Sequence, residues 1–231
     1  MSIKLICLDA DDTLWHNERN FRAAEADMLE ALSPIAPANV VREHLAMCVS
    51  DNLAAYGYGV KGFTLSMVEV AARLAGPSLP AAVALRILEV GRDLLRRPVE
   101  LFDGAQAAVE ELSQMATLAI VTKGDLMHQE AKIATSGLGT FVDKVEIVTD
   151  KSAETFRQVI SHFNVLPEET LVVGDSLRSD IHPALEAGAW AAYIPQEGAW
   201  AHEVRDVPEG NARFVQLSRL ADVPGWLADR T

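Results

Sequence analysis

Three carboxylates crowd the end of a short apolar run near the start of the chain: Asp9, Asp11 and Asp12 follow Ile3, Leu5, Ile6 and Leu8. Acids this close repel one another, and a sequence tolerates that best where a cation neutralises them. The pattern recurs three times. Leu118 to Val121 runs into Thr122 and Lys123, Val145 to Val148 into Lys151, and Leu171 to Val173 into Asp175, with Asp180 five residues on. Carboxylates are the ligands a hard divalent cation prefers, and a hydroxyl with ammonium groups beside them can hold anionic oxygens. Each residue also has a plainer use: Asp12, Thr13 or Thr122 as a helix cap, Lys151 as a solvated charge, Asp175 in a turn. Coincidence becomes a poor account when four consecutive strands end this way on one face.

That face is set by the elements. Five or six apolar, partly β-branched residues bounded by acids read as a strand buried on both sides. In open parallel sheets, ligands bind outside the carboxyl ends of such strands. From Val99 onwards strands alternate with helices of 10 to 15 residues: helices follow Asp103-Gly104, cover 126 to 136, carry Phe156, Val159 and Ile160, and run from the GDS turn to Gly188. Trp190 to Ile194 gives a fifth strand and Phe214-Val215 a short sixth. The expected fold class is α/β, a Rossmann-like parallel sheet sandwiched by helices.

Between Thr13 and Pro98 the period is helical throughout. Phe21, Ala24, Met28, Leu32 and Ile35 mark one helix; a second covers 39 to 56 with Asn39 as N-cap; Thr64 caps a third that runs to Gly76-Pro77; a fourth spans about 80 to 96. Four amphipathic helices make a bundle inserted into the sheet domain. The expected division is therefore 1–15 and 99–231 for the catalytic core, and 16–98 for the helical domain. The stretch YGYGVKG reads as a loop between helices two and three.

Composition narrows the class. The chain has 231 residues, 49% apolar and 23% charged, and a formal net charge of −13, which argues against nucleic acid and anionic membranes as partners. No apolar stretch reaches the length of a membrane span, and the N-terminus runs straight into a strand, so no secretory signal is expected. Cys7 and Cys48 lie in a strand and a helix, as small buried hydrophobes of a reducing compartment. A cytoplasmic monomer or homodimer is expected. Neither GxxxxGK[ST] nor a strand-linked GxGxxG occurs, so no NTPase or dinucleotide enzyme is supported.

The ordered set LDADDTL, VTKG, DK before a helix, and GDSLRSD resembles the four motifs of the haloacid dehalogenase-like hydrolase superfamily. The inserted helices resemble that superfamily's α-helical cap. The resemblance implies that Asp9 is the nucleophile and Asp11 the general acid/base. It implies that Thr122 and Lys151 hold phosphoryl oxygens, with Lys123 beside them. Asp175, the Asp9 carboxylate and the Asp11 backbone carbonyl would ligate Mg²⁺. Asp180 would orient Lys151 or a water on the metal, and Thr13 would support the first motif. Two departures stand out: Lys123 where Asn often follows the second-motif Ser or Thr, and no proline after Lys151.

Elementary electrostatics favours this chemistry. A phosphate ester dianion approaching a carboxylate meets about 8 kcal/mol of repulsion at ~4 Å and an effective dielectric of about 20, which a divalent cation offsets. Attack by Asp9 divides one displacement into two through an aspartyl-phosphate. Asp11 would donate a proton to the departing alkoxide and later take one from water, which needs a raised pKa; crowding by neighbouring acids pushes that way. Dehalogenases of the superfamily characteristically lack this acid, because a halide needs no proton. The expected activity is therefore an Mg²⁺-dependent phosphatase acting on a small phosphorylated metabolite. A phosphomutase of sugar phosphates is the alternative, and a non-catalytic receiver-like domain, half this length and differently ordered, is a third. Substrate choice is expected in the helical insertion, with Tyr58 and Lys61 of its glycine-rich loop as candidates, and Trp15 and His16 lining the entrance.

Overall fold

The first apolar run forms strand β1 (Leu5–Leu8), and all four of its residues are buried. That is the state of a strand covered on both faces. The computed structural model describes residues 2–198 and 200–230. It contains a six-stranded sheet, β1 with β2 (Thr117–Lys123), β3 (Lys144–Val148), β4 (Thr170–Gly174), β5 (Trp190–Tyr193) and β6 (Phe214–Gln216), in the order 3-2-1-4-5-6. Every pairing is parallel, with Cys7 opposite Ala119 on one side and Val172 on the other. The fold is thus the α/β, Rossmann-like class.

Strand alternation sorts the core into two layers. Ile6, Leu8, Leu118, Ile120, Leu171 and Val173 pack on one face with helices α5 (Ala105–Met115), α6 (Leu126–Ser136) and α9 (Val223–Ala228), through Val109, Leu112, Ile133 and Leu227. Leu5, Cys7, Ala119, Val121 and Val172 pack on the other with α7 (Ala153–Ser161) and α8 (His182–Ala187), through Phe156, Val159, Ile160 and Ala184. Each large apolar side chain so buried contributes roughly 1.5–3 kcal/mol. The chain steps outward from β1 through β2 to β3 and then returns to pair β4 with the other side of β1. That reversal opens a crevice at the carboxyl ends of β1 and β4.

The chain divides into two compact units: residues 1–18, 99–123 and 129–231, and residues 19–98 with 124–128. The second is built from α1 (Glu18–Leu32), α2 (Ala38–Tyr56), α3 (Val60–Ala75) and α4 (Ala81–Arg96), around Met28, Leu45, Met67, Val70, Ile87 and Leu94. The short segment Gly124–His128 joins it although it directly follows β2 in sequence.

Several local expectations need correction. Helix α2 starts at Ala38, with Pro37 in the capping position, so Asn39 lies inside the helix rather than capping it. Helix α3 starts at Val60, not after Thr64; the Thr64 hydroxyl instead donates back to the Val60 carbonyl, 2.7 Å away. The YGYGVKG loop therefore shrinks to residues 57–59, and Lys61 sits in the first turn of a helix. Between β4 and α8 the chain makes one π-helical turn, Leu177–Ile181, rather than a continuous α-helix. Ser152 takes over the helix start where a proline is absent: its Oγ accepts the Thr155 N–H at 3.1 Å.

Candidate active site

Asp9 follows β1 directly and is buried; its N–H donates to the Val173 carbonyl at 2.9 Å, which fixes the residue beside β4. Asp175 follows β4. Thr13 joins the two: its hydroxyl lies 2.9 Å from Asp9 Oδ2 and 3.4 Å from Asp175 Oδ1, and it accepts the Asp175 N–H at 3.1 Å. Lys151, at the carboxyl end of β3, is also buried and donates to Asp9 Oδ1 and, at 2.7 Å, to Asp180 Oδ1. Asp180 comes from the π-helical turn, where its other oxygen accepts the Ser176 N–H at 3.1 Å. A Cβ on Gly174 would stand 2.3 Å from the Asp180 carboxyl carbon, so only glycine lets this carboxylate fold back over the strand end.

Charge is unbalanced here. Oxygens of Asp9, Asp175 and Asp180 lie within 4.8 Å of one another. Among the described residues, the ammonium of Lys151 pairs with Asp9 and Asp180. Burial, and then the charges of Asp9 and Asp180, push the Asp175 carboxyl well above its ordinary range. Burial likewise lifts Asp180 to about 7 despite Lys151. Burial works against the charge on Lys151 too, but Asp180 and Asp9 outweigh it and raise its pKa. An all-oxygen donor set short of positive charge fits a hard divalent cation.

Asp11 is arranged differently from the sequence expectation. Its carboxylate accepts from Trp15 Nε1 at 2.6 Å, from Gln129 Nε2 at 3.1 Å, and from Lys132 Nζ at 2.5 and 2.7 Å on its two oxygens. Burial alone would raise its pKa; the Lys132 charge and these hydrogen bonds outweigh burial and hold it below the ordinary carboxylate range. The expected upward shift is therefore wrong, because a cation from α6 decides it rather than the neighbouring acids. Trp15, expected at the entrance, is only 1% exposed and serves as a donor to Asp11. His16 packs against Phe102 with the rings tilted by 50° and their centroids 4.0 Å apart. Asp12, at φ 63°, caps α1: its carboxylate accepts the N–H groups of Asn17 and Glu18 at 2.9 to 3.0 Å. Burial raises it to about 6, the charges of Asp11 and Asp9 adding to the effect.

Thr122, buried in β2, takes a hydrogen bond from Gln129 Nε2 at 2.6 Å. Lys123 Nζ donates to Ser179 Oγ at 2.7 Å and to Glu203 Oε1 at 2.6 Å. Glu203 also accepts from the Ser176 and Ser179 hydroxyls; burial opposes its charge, but Lys123 and these hydroxyls hold it down to about 2. Within the helical unit, Lys61 pairs with Asp125: its Nζ lies 3.3 Å from Oδ1, and its N–H donates to Oδ2 at 3.0 Å. Tyr58 is half-buried in the turn before α3.

Gln129, Lys132, Glu203, Ser176 and Ser179 are the polar groups that reading along the sequence missed. A signal existed for two of them: Gln129 and Lys132 are three apart and share the inward stripe of α6 with Ile133.

Comparison with known proteins places this geometry. A solved haloacid dehalogenase-like family hydrolase from Xanthomonas campestris is 35% identical, with a TM-score of 0.89 over 99% of this chain and 91% of its own. The magnesium-bound putative hydrolase YfnB from Bacillus subtilis (23% identity, TM-score 0.69, 98% of this chain, 99% of that one) shares the fold. So does the 2-haloacid dehalogenase of Pseudomonas syringae (23%, 0.66, 99% and 100%). Among curated proteins, a glyceraldehyde 3-phosphate phosphatase from Pyrococcus furiosus is 35% identical over 82 residues, 32% of this chain; the match spans about a third, 34%, of that relative's length. Residues 3–188 match the haloacid dehalogenase-like hydrolase family, and the chain belongs to that family of enzymes.

Proposed function

We propose that the protein is an Mg²⁺-dependent phosphatase that hydrolyses a small phosphate monoester through an aspartyl-phosphate on Asp9. The observation that supports this reading over halide displacement is the cluster of Asp9, Asp175 and Asp180, of which the ammonium of Lys151 pairs with Asp9 and Asp180. A carboxylate attacking a carbon–halogen bond has no dianion to approach, so it gains nothing from an uncompensated cluster of acids. A carboxylate attacking a phosphate dianion needs a cation beside it. The Asp9 and Asp175 carboxylates, with the Asp11 carbonyl, would hold that Mg²⁺, which supplies charge neutralisation and polarises the phosphoryl group. The local match to a glyceraldehyde 3-phosphate phosphatase adds support for a small phosphorylated metabolite as substrate.

The chain's own residues then divide the work. Asp9 attacks phosphorus in line; the P–O bond to the alcohol breaks, and the alcohol departs with a proton from Asp11. Lys151 orients Asp9 and, with the Thr122 hydroxyl, meets negative charge on the phosphoryl oxygens. In the second half, water attacks phosphorus, Asp11 takes its proton, and Asp9 leaves as a carboxylate. Asp11 thereby regains the proton it gives up in the first half, while Trp15 and Lys132 hold its carboxyl group in place. The helical unit would act as the cap that selects the substrate, with Tyr58 and Lys61 as its candidates.

The test is a panel of phosphate monoesters and 2-haloacids incubated with and without Mg²⁺. Phosphate release that chelator stops and Mg²⁺ restores is expected. Halide release without phosphate release would overturn the reading, and phosphoryl transfer between sugar phosphates without phosphate release would make the enzyme a mutase.

A further inference from the structure

We propose that Gln129, on α6, is a positioning residue that fixes the Thr122 hydroxyl as a donor to the phosphoryl group; this rests on the phosphatase reading. Gln129 is only 2% exposed, although an amide inside a helix face costs free energy unless its hydrogen bonds are made. Its Nε2 lies 2.6 Å from Thr122 Oγ1, 3.1 Å from Asp11 Oδ2 and 3.2 Å from the Lys123 carbonyl oxygen.

Chemistry decides which way this amide faces. The Lys123 peptide carbonyl can only accept, so the NH₂ group must face it and the amide oxygen must point away. An amide nitrogen does not accept, so Thr122 Oγ1 must be the acceptor in the 2.6 Å contact. The hydroxyl hydrogen of Thr122 is thereby left to be donated elsewhere. Without Gln129 the hydroxyl turns freely, and its donor direction has to be ordered during reaction. Preorganised donors derive their effect from being ordered beforehand.

The neighbouring turn of α6 isolates the effect. Lys132 contacts both Asp11 oxygens, and Trp15 contacts one. Asp11 thus keeps two donors when Gln129 is replaced, and Thr122 loses its fixed partner.

The experiment is a double-mutant cycle of Gln129→Met and Thr122→Val on the full chain with Mg²⁺. It reads kcat on p-nitrophenyl phosphate, whose leaving group needs no proton, and inorganic phosphate affinity by calorimetry. Gln129→Met is expected to lower kcat about 10- to 100-fold, the scale of a misplaced catalytic group, and to weaken phosphate binding. In the Thr122→Val background the same change should cost less than about threefold, because the group it acts through is gone. Losses that multiply, or an unaffected Gln129→Met enzyme, would overturn the inference. If Gln129→Met does not fold by circular dichroism, Gln129→Asn replaces it in the cycle, keeping the amide but withdrawing it by one methylene. A wild-type chain that neither turns over esters nor binds phosphate removes the phosphatase reading and this inference together; active wild type with multiplying losses removes the inference alone.

Discussion

Asp175→Asn should make the metal-free protein more stable while destroying its response to Mg²⁺. Two unit charges 4.8 Å apart, the outer limit for the Asp9, Asp175 and Asp180 oxygens, repel by about 3.5 kcal/mol at an effective dielectric near 20. Asp175 faces two such neighbours, partly offset by Lys151. Protonation caps the penalty. Starting from an ordinary value of 3.8, a carboxyl that takes up a proton at pH 7 costs at most about 4 kcal/mol, and at pH 5 about 1.6 kcal/mol. The sign follows from the raised folded-state pKa: metal-free wild type is least penalised below pH 3.8 and loses stability as pH rises above it. Asparagine carries no charge and keeps an oxygen for Thr13. Urea unfolding in chelator should therefore find the variant about 2–4 kcal/mol more stable at pH 7, with a smaller gap at pH 5. Adding Mg²⁺ should stabilise wild type and leave the variant unmoved. A variant no more stable than wild type at pH 7, or a gap independent of pH, would refute the argument that these carboxylates await a cation.

Asp9→Asn should abolish turnover and the hydroxylamine-sensitive phosphoenzyme trapped by acid quench; residual phosphoenzyme would point to another nucleophile. Asp11→Asn should slow alkyl phosphates by about 10²- to 10⁴-fold and p-nitrophenyl phosphate far less, measured as kcat/KM; equal losses would deny it the acid role. Glu203→Gln should lower stability at neutral pH by up to about 3 kcal/mol, since its pKa falls from 4.5 to about 2 on folding. That contribution is complete above pH 4.5 and disappears as pH falls through 2, so urea midpoints of variant and wild type should converge in acid.

The sheet was legible because strands buried on both faces leave continuous apolar runs, and because the first four run into polar residues that a core accepts only when they are paired. Asp9, Lys151 and Asp175 could be found for that reason. Boundaries in the helical unit were harder. Helix α3 begins at Val60 rather than at Thr64, and Gly59, at φ 121°, lies so close to the Asp125 carboxylate that a Cβ would sit 2.8 Å from it. That approach joins residues over 60 positions apart, so no local pattern encodes it. Glu203 comes from a segment with no helical or strand period, and its partners Lys123, Ser176 and Ser179 come from two different strand ends.

Asp11 shows what distance along the chain hides. Its sequence neighbours are acids, which argue for a raised pKa; its spatial neighbours are an indole, an amide and the ammonium of Lys132, 121 residues away. The cation prevails because it touches both oxygens in a buried site, where charge interactions are strong and little screened. An acid/base group held ionised is prepared to accept a proton from water, which suits hydrolysis of a phosphoenzyme. It is less prepared to protonate a departing alkoxide. The two halves of the proposed reaction thus place opposite demands on one carboxylate, and Lys132 favours the second. If the proposed reaction holds, formation of the phosphoenzyme is the half expected to depend most on the leaving group.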